Sequence, residues 1–255
     1  MNFKSILLSS FATASLFAST ADHSSHINWG YHGEMAPENW GKLSKICTAG
    51  KHQSPINIVT KDVVKAKDHR LKFFDYDKLA DFNVLNNGHT IKAVPHFHES
   101  YNNAYITVDG IEYALIQFHL HTHSESTING EQSDMVLHFV HQSYDGDLAV
   151  VAVFYKIGKE NPEVDKFWTS THLDKLDTHV LLKDVEFSHI LPKNLKSYYH
   201  FQGSLTTPPC SEEVEWFVMK EKLELSQKQI DSLRAIFPDN YRPVQDLNGR
   251  IVEEF

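Results

Sequence analysis

Histidines at positions 119, 121 and 138 carry the most pointed chemistry in this sequence. Side chains two apart on a β-strand share a face, so His119-Leu120-His121 read as a strand sends both imidazoles the same way. The alternation from Ile111 puts Tyr113, Leu115, Gln117, His119 and His121 on one side. Glu112, Ala114, Ile116, Phe118 and Leu120 fall on the other. Val136-Leu137-His138-Phe139-Val140 repeats the pattern, and a paired strand presents His138 beside the other two, flanked on its own face by Val136 and Val140. Three neutral imidazoles leave the fourth tetrahedral position of zinc to water, whereas structural zinc sites close with four protein ligands. The chemistry this spacing offers is that of an open, reactive zinc. In a chain with 17 histidines a His-x-His pair also arises as ordinary strand decoration, so the surrounding elements have to decide.

Those elements are legible. Ala104 to Val108, Asp109-Gly110 and Ile111 to His121 read as a hairpin, because Asp-Gly supplies the positive φ angles of a tight turn. Leu148 to Tyr155 is an unbroken apolar, β-branched run, the pattern of a strand buried on both faces; Val214 to Met219 is a second. Helices are few. Asn161-Pro162 opens one with Val164, Phe167 and Trp168 inward, and Ser226-x-x-Gln229 caps another carrying Ile230, Leu233 and Ile236 before Pro238 ends it. No Gly/Ser tract, Pro-rich run or internal repeat divides the 255 residues, so a mostly β single domain with peripheral helices is expected.

A formal charge of −9 with no basic cluster argues against nucleic acid or an anionic membrane as partner. Met1 to Ala21 carries one charge, Lys4, then an apolar stretch from Ile6 to Ala18 and the small residues Ser19-Thr20-Ala21. That is the pattern of an export signal with a small-x-small cleavage site, too short for a membrane span. The expected organisation is a signal over 1–21 and one domain over 22–255, periplasmic or secreted. Cys47 and Cys210 fit that compartment as a disulfide, the alternative being two buried thiols. Closing so long a loop stabilises by about 4 kcal/mol in the chain-entropy model.

At Gln117-Phe118-His119-Leu120-His121, Ser124-Glu125, Leu137-His138-Phe139-Val140-His141, Leu148-Ala149-Val150 and Ser204-Leu205-Thr206-Thr207-Pro208-Pro209, the chain resembles the alpha-class carbonic anhydrases. The resemblance extends through Trp29-Gly30-Tyr31, Gln53-Ser54-Pro55-Ile56-Asn57, Asn86-Asn87-Gly88-His89, Trp216 and Asn240-Tyr241-Arg242-Pro243-Val244-Gln245, with Asn248 and Arg250. These motifs stand in the family's order across nearly all of 22–255. The resemblance implies a twisted, largely antiparallel ten-stranded central sheet with the metal at the bottom of a cone. It implies Zn2+ on His119, His121 and His138, and reversible hydration of carbon dioxide to bicarbonate and a proton by zinc-bound hydroxide, the family being itself the standard example of a zinc that brings its water to a pKa of roughly 7.

Further roles follow from the same resemblance. Thr206 matches the hydroxyl that donates to Glu125 and accepts from the nucleophile, which aims it. Val140, Val150, Leu205, Val214 and Trp216 match the apolar wall for carbon dioxide, with Thr206 and Thr207 beside it. His89 matches the proton shuttle, its imidazole suited to transfer in both directions near neutrality; Tyr31 and Asn87 match groups that order the intervening waters. Gln117 and the Asn240 carbonyl match the acceptors that orient His119 and His121. Bacterial members often dimerise, but no self-complementary patch is legible here.

Three positions depart from the pattern. Val136 stands where a glutamate normally accepts from His138, which predicts weaker metal retention. Lys92 puts a cation at the cavity rim, where it is expected to depress the pKa of His89. His123 replaces a frequent proline and, with His96 and His98, is expected on the exposed surface. Two other readings remain open at this point: a cupin-like metal enzyme with Glu125 as a ligand, and a non-catalytic zinc-binding protein of the same fold.

Overall fold

The structure, a computed structural model, describes residues 29–68, 70–96, 104–167 and 173–255. The expected export segment, His98 and Trp168 lie outside the described residues. The strands are β1 Asn57–Ile58, β2 Val64–Lys65, β3 Leu71–Phe74, β4 Leu79–Asn86, β5 Ile91–Pro95, β6 Tyr105–Val108, β7 Ile111–His121 and β8 Thr127–Ile128. They continue as β9 Met135–Ser143, β10 Leu148–Ile157, β11 His179–Glu186, β12 Tyr198–Ser204, β13 Glu212–Met219, β14 Leu223–Leu225 and β15 Glu253–Glu254. One sheet holds 13 of them, and ten form its continuous path in the order β11-β4-β5-β7-β9-β10-β13-β12-β15-β2. The expected mostly β fold with a ten-stranded, largely antiparallel sheet is therefore observed. Two steps of that path are parallel, β10 to β13 near its middle and β15 to β2 at its end.

The expected hairpin forms, β6 pairing with β7 through Asp109 and Gly110 at φ 50° and 87°, the left-handed backbone that a tight turn requires. The β10 run is apolar throughout because both faces are covered: Ala149, Val151, Val153 and Tyr155 enter the larger core, and Val150, Ala152 and Phe154 a second core on the opposite face. β9 and β13 divide in the same way, sending Val136, Val140, Val214 and Trp216 to the second core.

One expectation about β7 fails. A bulge between Leu115 and Gln117 inserts one residue against β9, and an extra residue reverses the in-out phase of everything before it. Tyr113 and Leu115 consequently share the larger core with Phe118 and Leu120, while Ile116 packs with the second core on the side of the histidines. Alternation holds only from Gln117 onward.

Helices are short and peripheral. α1 spans Ile46–Ala49 and α2 Pro162–Asp165, opened by Asn161 accepting from Glu163 and Val164 N–H. α3 spans Gln227–Ile236 behind a complete Ser226/Gln229 capping box, burying Ile230 and Leu233.

Candidate metal centre

In the β7/β9 ladder His119 and His138 are directly opposite partners, and His121 lies one repeat further along β7. One ring nitrogen from each comes within 4.8 Å of the other two, and His121 Nε2 is buried with no hydrogen-bond partner. Burial, reinforced by neighbouring imidazoles, holds His119 and His138 well below the ordinary imidazole pKa. They are neutral lone-pair donors. A buried, unpartnered imidazole nitrogen aimed at two others is costly by itself and fits a cation that accepts three nitrogen lone pairs.

The remaining nitrogens are oriented unequally. His119 Nδ1 lies 2.9 Å from Gln117 Oε1, and His121 Nδ1 lies 2.6 Å from the Asn240 carbonyl; each accepting oxygen fixes the tautomer that leaves Nε2 unprotonated. His138 has no hydrogen-bond partner for its other nitrogen among the described residues, because Val136 is fully buried beside it in the second core. Its ring instead meets Trp216 edge to face at 5.0 Å, and the Trp216 indole donates to the Ser204 carbonyl at 3.0 Å. Packing holds this imidazole where a hydrogen bond holds the other two. Restoring an acceptor with Val136→Gln or Val136→Glu is expected to slow zinc loss to a chelator by about 10–100-fold; an unchanged rate in both variants contradicts this account.

Glu125 is 1% exposed, and its Oε1 accepts from Arg242 N–H at 2.9 Å. Its Oε2 sits 3.5 Å from His121 Nε2 and 3.8 Å from His138 Nδ1. Burial raises the carboxyl pKa, opposed by His121, the Arg242 amide and the nearby Thr206 side chain. Arg242, assigned no role from sequence, is the local keystone: its guanidinium donates to Gln53 Oε1, Ser54 O and Cys47 O at 2.6–2.9 Å and lies over the Trp40 ring. Only its place in the Asn240 to Gln245 motif marked it.

Cys47 and Cys210 form the expected disulfide. Cys210 N–H donates to the Thr207 carbonyl, and Leu205 N–H to Ser211 O, both at 2.9 Å, so the bond ties down the turn bearing Thr206 and Thr207.

A cavity of about 180 Å³ opens onto His119 and His121, lined also by Trp29, Tyr31, Asn87, His89, Lys92 and Thr207. Val140, Val150, Val214 and Trp216 gather in one apolar cluster with Leu205 against it, so the residues matched to the substrate wall converge. His89 stacks flat on Trp29, ring centroids 3.8 Å apart at 8°. Asn87 Oδ1 accepts from His89 and Thr90 N–H at 3.0 and 2.9 Å, which shapes the turn. Burial, with Glu125 second, keeps Tyr31 well above the usual phenol range and hence a neutral hydroxyl.

Two expectations about the cavity are corrected. His89 is indeed lowered from 6.5, but by burial; the Lys92 charge acts on His119, its direct partner across β5 and β7. His123 is partly buried, with Nδ1 3.2 Å from an Arg234 guanidinium nitrogen, and is not a free surface group.

A family model for the eukaryotic-type carbonic anhydrases matches residues 35–255. A carbonic anhydrase of Neisseria gonorrhoeae is 41% identical over 240 residues, covering 92% of this chain and 91% of that protein. One of Klebsiella pneumoniae is 39% identical over 231 residues, covering 89% and 91%. Among solved structures, a hyperthermostable carbonic anhydrase from a hydrothermal vent chimney is 42% identical with a TM-score of 0.80, covering 89% of this chain and 99% of its own. The alpha-carbonic anhydrase of Thermovibrio ammonificans, solved with the inhibitor sulfanilamide, is also 42% identical, with a TM-score of 0.79 and coverage of 88% and 98%. These matches and the open mixed sheet overturn the cupin-like alternative.

Proposed function

The chain belongs to the eukaryotic-type carbonic anhydrase family, carbonate dehydratases that interconvert carbon dioxide and bicarbonate, and from that membership we propose how its residues divide the work. His119, His121 and His138 hold zinc; the observation that carries this is the buried, unpartnered His121 nitrogen converging with two neutral imidazoles. When bound, zinc acts as a Lewis acid that brings the pKa of a coordinated water to roughly 7.

The protein's own groups do the rest. In this reading the Thr206 hydroxyl donates to the neighbouring Glu125, whose Oε2 has no other hydrogen-bond partner, so the Thr206 oxygen is left to accept from a donor in the space before the histidines. That fixes the direction of the nucleophile's lone pair. Val140, Val150, Leu205, Val214 and Trp216 offer carbon dioxide an apolar seat that excludes competing water, and the backbone N–H of Thr206 meets a substrate oxygen. With its pKa lowered, His89 is mostly the neutral imidazole at neutral pH and accepts the released proton through waters ordered by Tyr31 and Asn87. His89→Ala is expected to cut turnover about tenfold or more in dilute buffer, with rescue by added imidazole; unchanged turnover in dilute buffer contradicts the shuttle role.

The disulfide fits an exported protein, and we place the enzyme in the periplasm or secreted. Among the described residues no helix is long and apolar enough to cross a membrane. Stopped-flow carbon dioxide hydration by the zinc-loaded protein tests the function: turnover well above the buffer rate supports it, and none at full zinc occupancy overturns it.

A further inference from the structure

Lys92 enters the cavity from β5 as the direct cross-strand partner of His119. Among the described residues that line this cavity it is the only one with a permanent charge, its companions being aromatic, amide, hydroxyl and imidazole groups. Four lysines among the described residues are neutralised by a carboxylate, three of them closely: Lys78 meets Asp75 at 2.9 Å, Lys166 meets Glu163 at 2.7 Å and Lys220 meets Glu254 at 2.5 Å. No ion pair is formed by Lys92 among the described residues. A cation left unneutralised inside a recess, in a chain of formal charge −9, is a local reversal of sign. Walls of low dielectric focus such a field into the cavity.

The two partners in the reaction differ in the property this field reads. Carbon dioxide is uncharged, whereas bicarbonate is an anion. On the carbon dioxide reading given above, we propose that Lys92 is an anion-collecting residue that holds bicarbonate, and other small inorganic anions, beside the three-histidine centre. A compact ammonium on a flexible stem suits this task, because it follows a small anion without demanding the planar two-point geometry of a guanidinium.

The test compares wild type with Lys92→Gln, Lys92→Glu and Lys92→Arg, all zinc-loaded, for inhibition of carbon dioxide hydration by bicarbonate, iodide and an uncharged competitor, phenol. Each inhibition constant is corrected for the variant's own pH midpoint. The expected result is a rise of about three- to tenfold in the bicarbonate and iodide constants for Lys92→Gln, more for Lys92→Glu and little for Lys92→Arg, shrinking as ionic strength rises. The phenol constant should stay put. Equal shifts for phenol and the anions assign Lys92 a merely structural part, and unchanged anion constants in both the Gln and Glu variants overturn the proposal outright. Absence of hydration by the wild type is a different outcome, which removes the parent reading instead.

Discussion

Alanine in place of His121 is expected to leave the protein folded but unable to retain zinc or hydrate carbon dioxide. The side chain is 1% exposed, its Nδ1 is committed to the Asn240 carbonyl, and its Nε2 has no role in the protein's own hydrogen bonding. Loss of an outer partner of a metal ligand typically costs about 10–100-fold in affinity, so removing the ligand itself should exceed that range. Two neutral imidazoles cannot complete a stable site, and the nearby Glu125 is restrained by Arg242 N–H at 2.9 Å. Metal content after dialysis, read with far-UV circular dichroism, checks this. Near-stoichiometric zinc in folded His121→Ala contradicts it.

Breaking the disulfide, by reduction or by Cys210→Ser, should have the largest effect on stability. The bond closes a separation of 163 residues, and bridges over long loops typically contribute about 2–5 kcal/mol, or about 5–15 °C in midpoint for a domain of this size. Activity should also fall at temperatures where the chain is still folded. The carbonyls of Cys47 and Cys210 accept from Arg242 and Gln53, at 2.6 and 3.0 Å, and the same arginine's backbone N–H holds Glu125. Thermal unfolding and activity measured together with and without reductant decide the point; coincident losses only at the unfolding midpoint would confine the bond to a scaffolding part.

What could be read from the sequence was whatever depended on local period and local chemistry. Asp109-Gly110 announced its turn, Ser226-x-x-Gln229 its cap, and the two-residue period from Gln117 to His121 the shared face of two imidazoles. The bulge at Ile116 was invisible because alternation carries no mark of a residue inserted against a partner strand, so Tyr113 and Leu115 fell on the wrong face. The substitution at 136 was plain, but what takes its place was not: Trp216 is 78 positions from His138 in the chain, and only the β9-β10-β13 order brings their rings together. Arg242 was hidden for a similar reason, its partners Cys47, Gln53 and Ser54 lying near the other end of the chain. Sequence proximity points the Lys92 charge at His89, three residues away, whereas the strand register aligns it with His119.

X-ray absorption at the zinc edge of the reconstituted enzyme is the most direct examination of the centre. Three imidazole nitrogens, recognised by their ring multiple scattering, and one oxygen from water, exchangeable for iodide, are the predicted result. A shell closed by a fourth protein ligand, with Glu125 the nearest carboxylate, and no exchange with iodide, would contradict it.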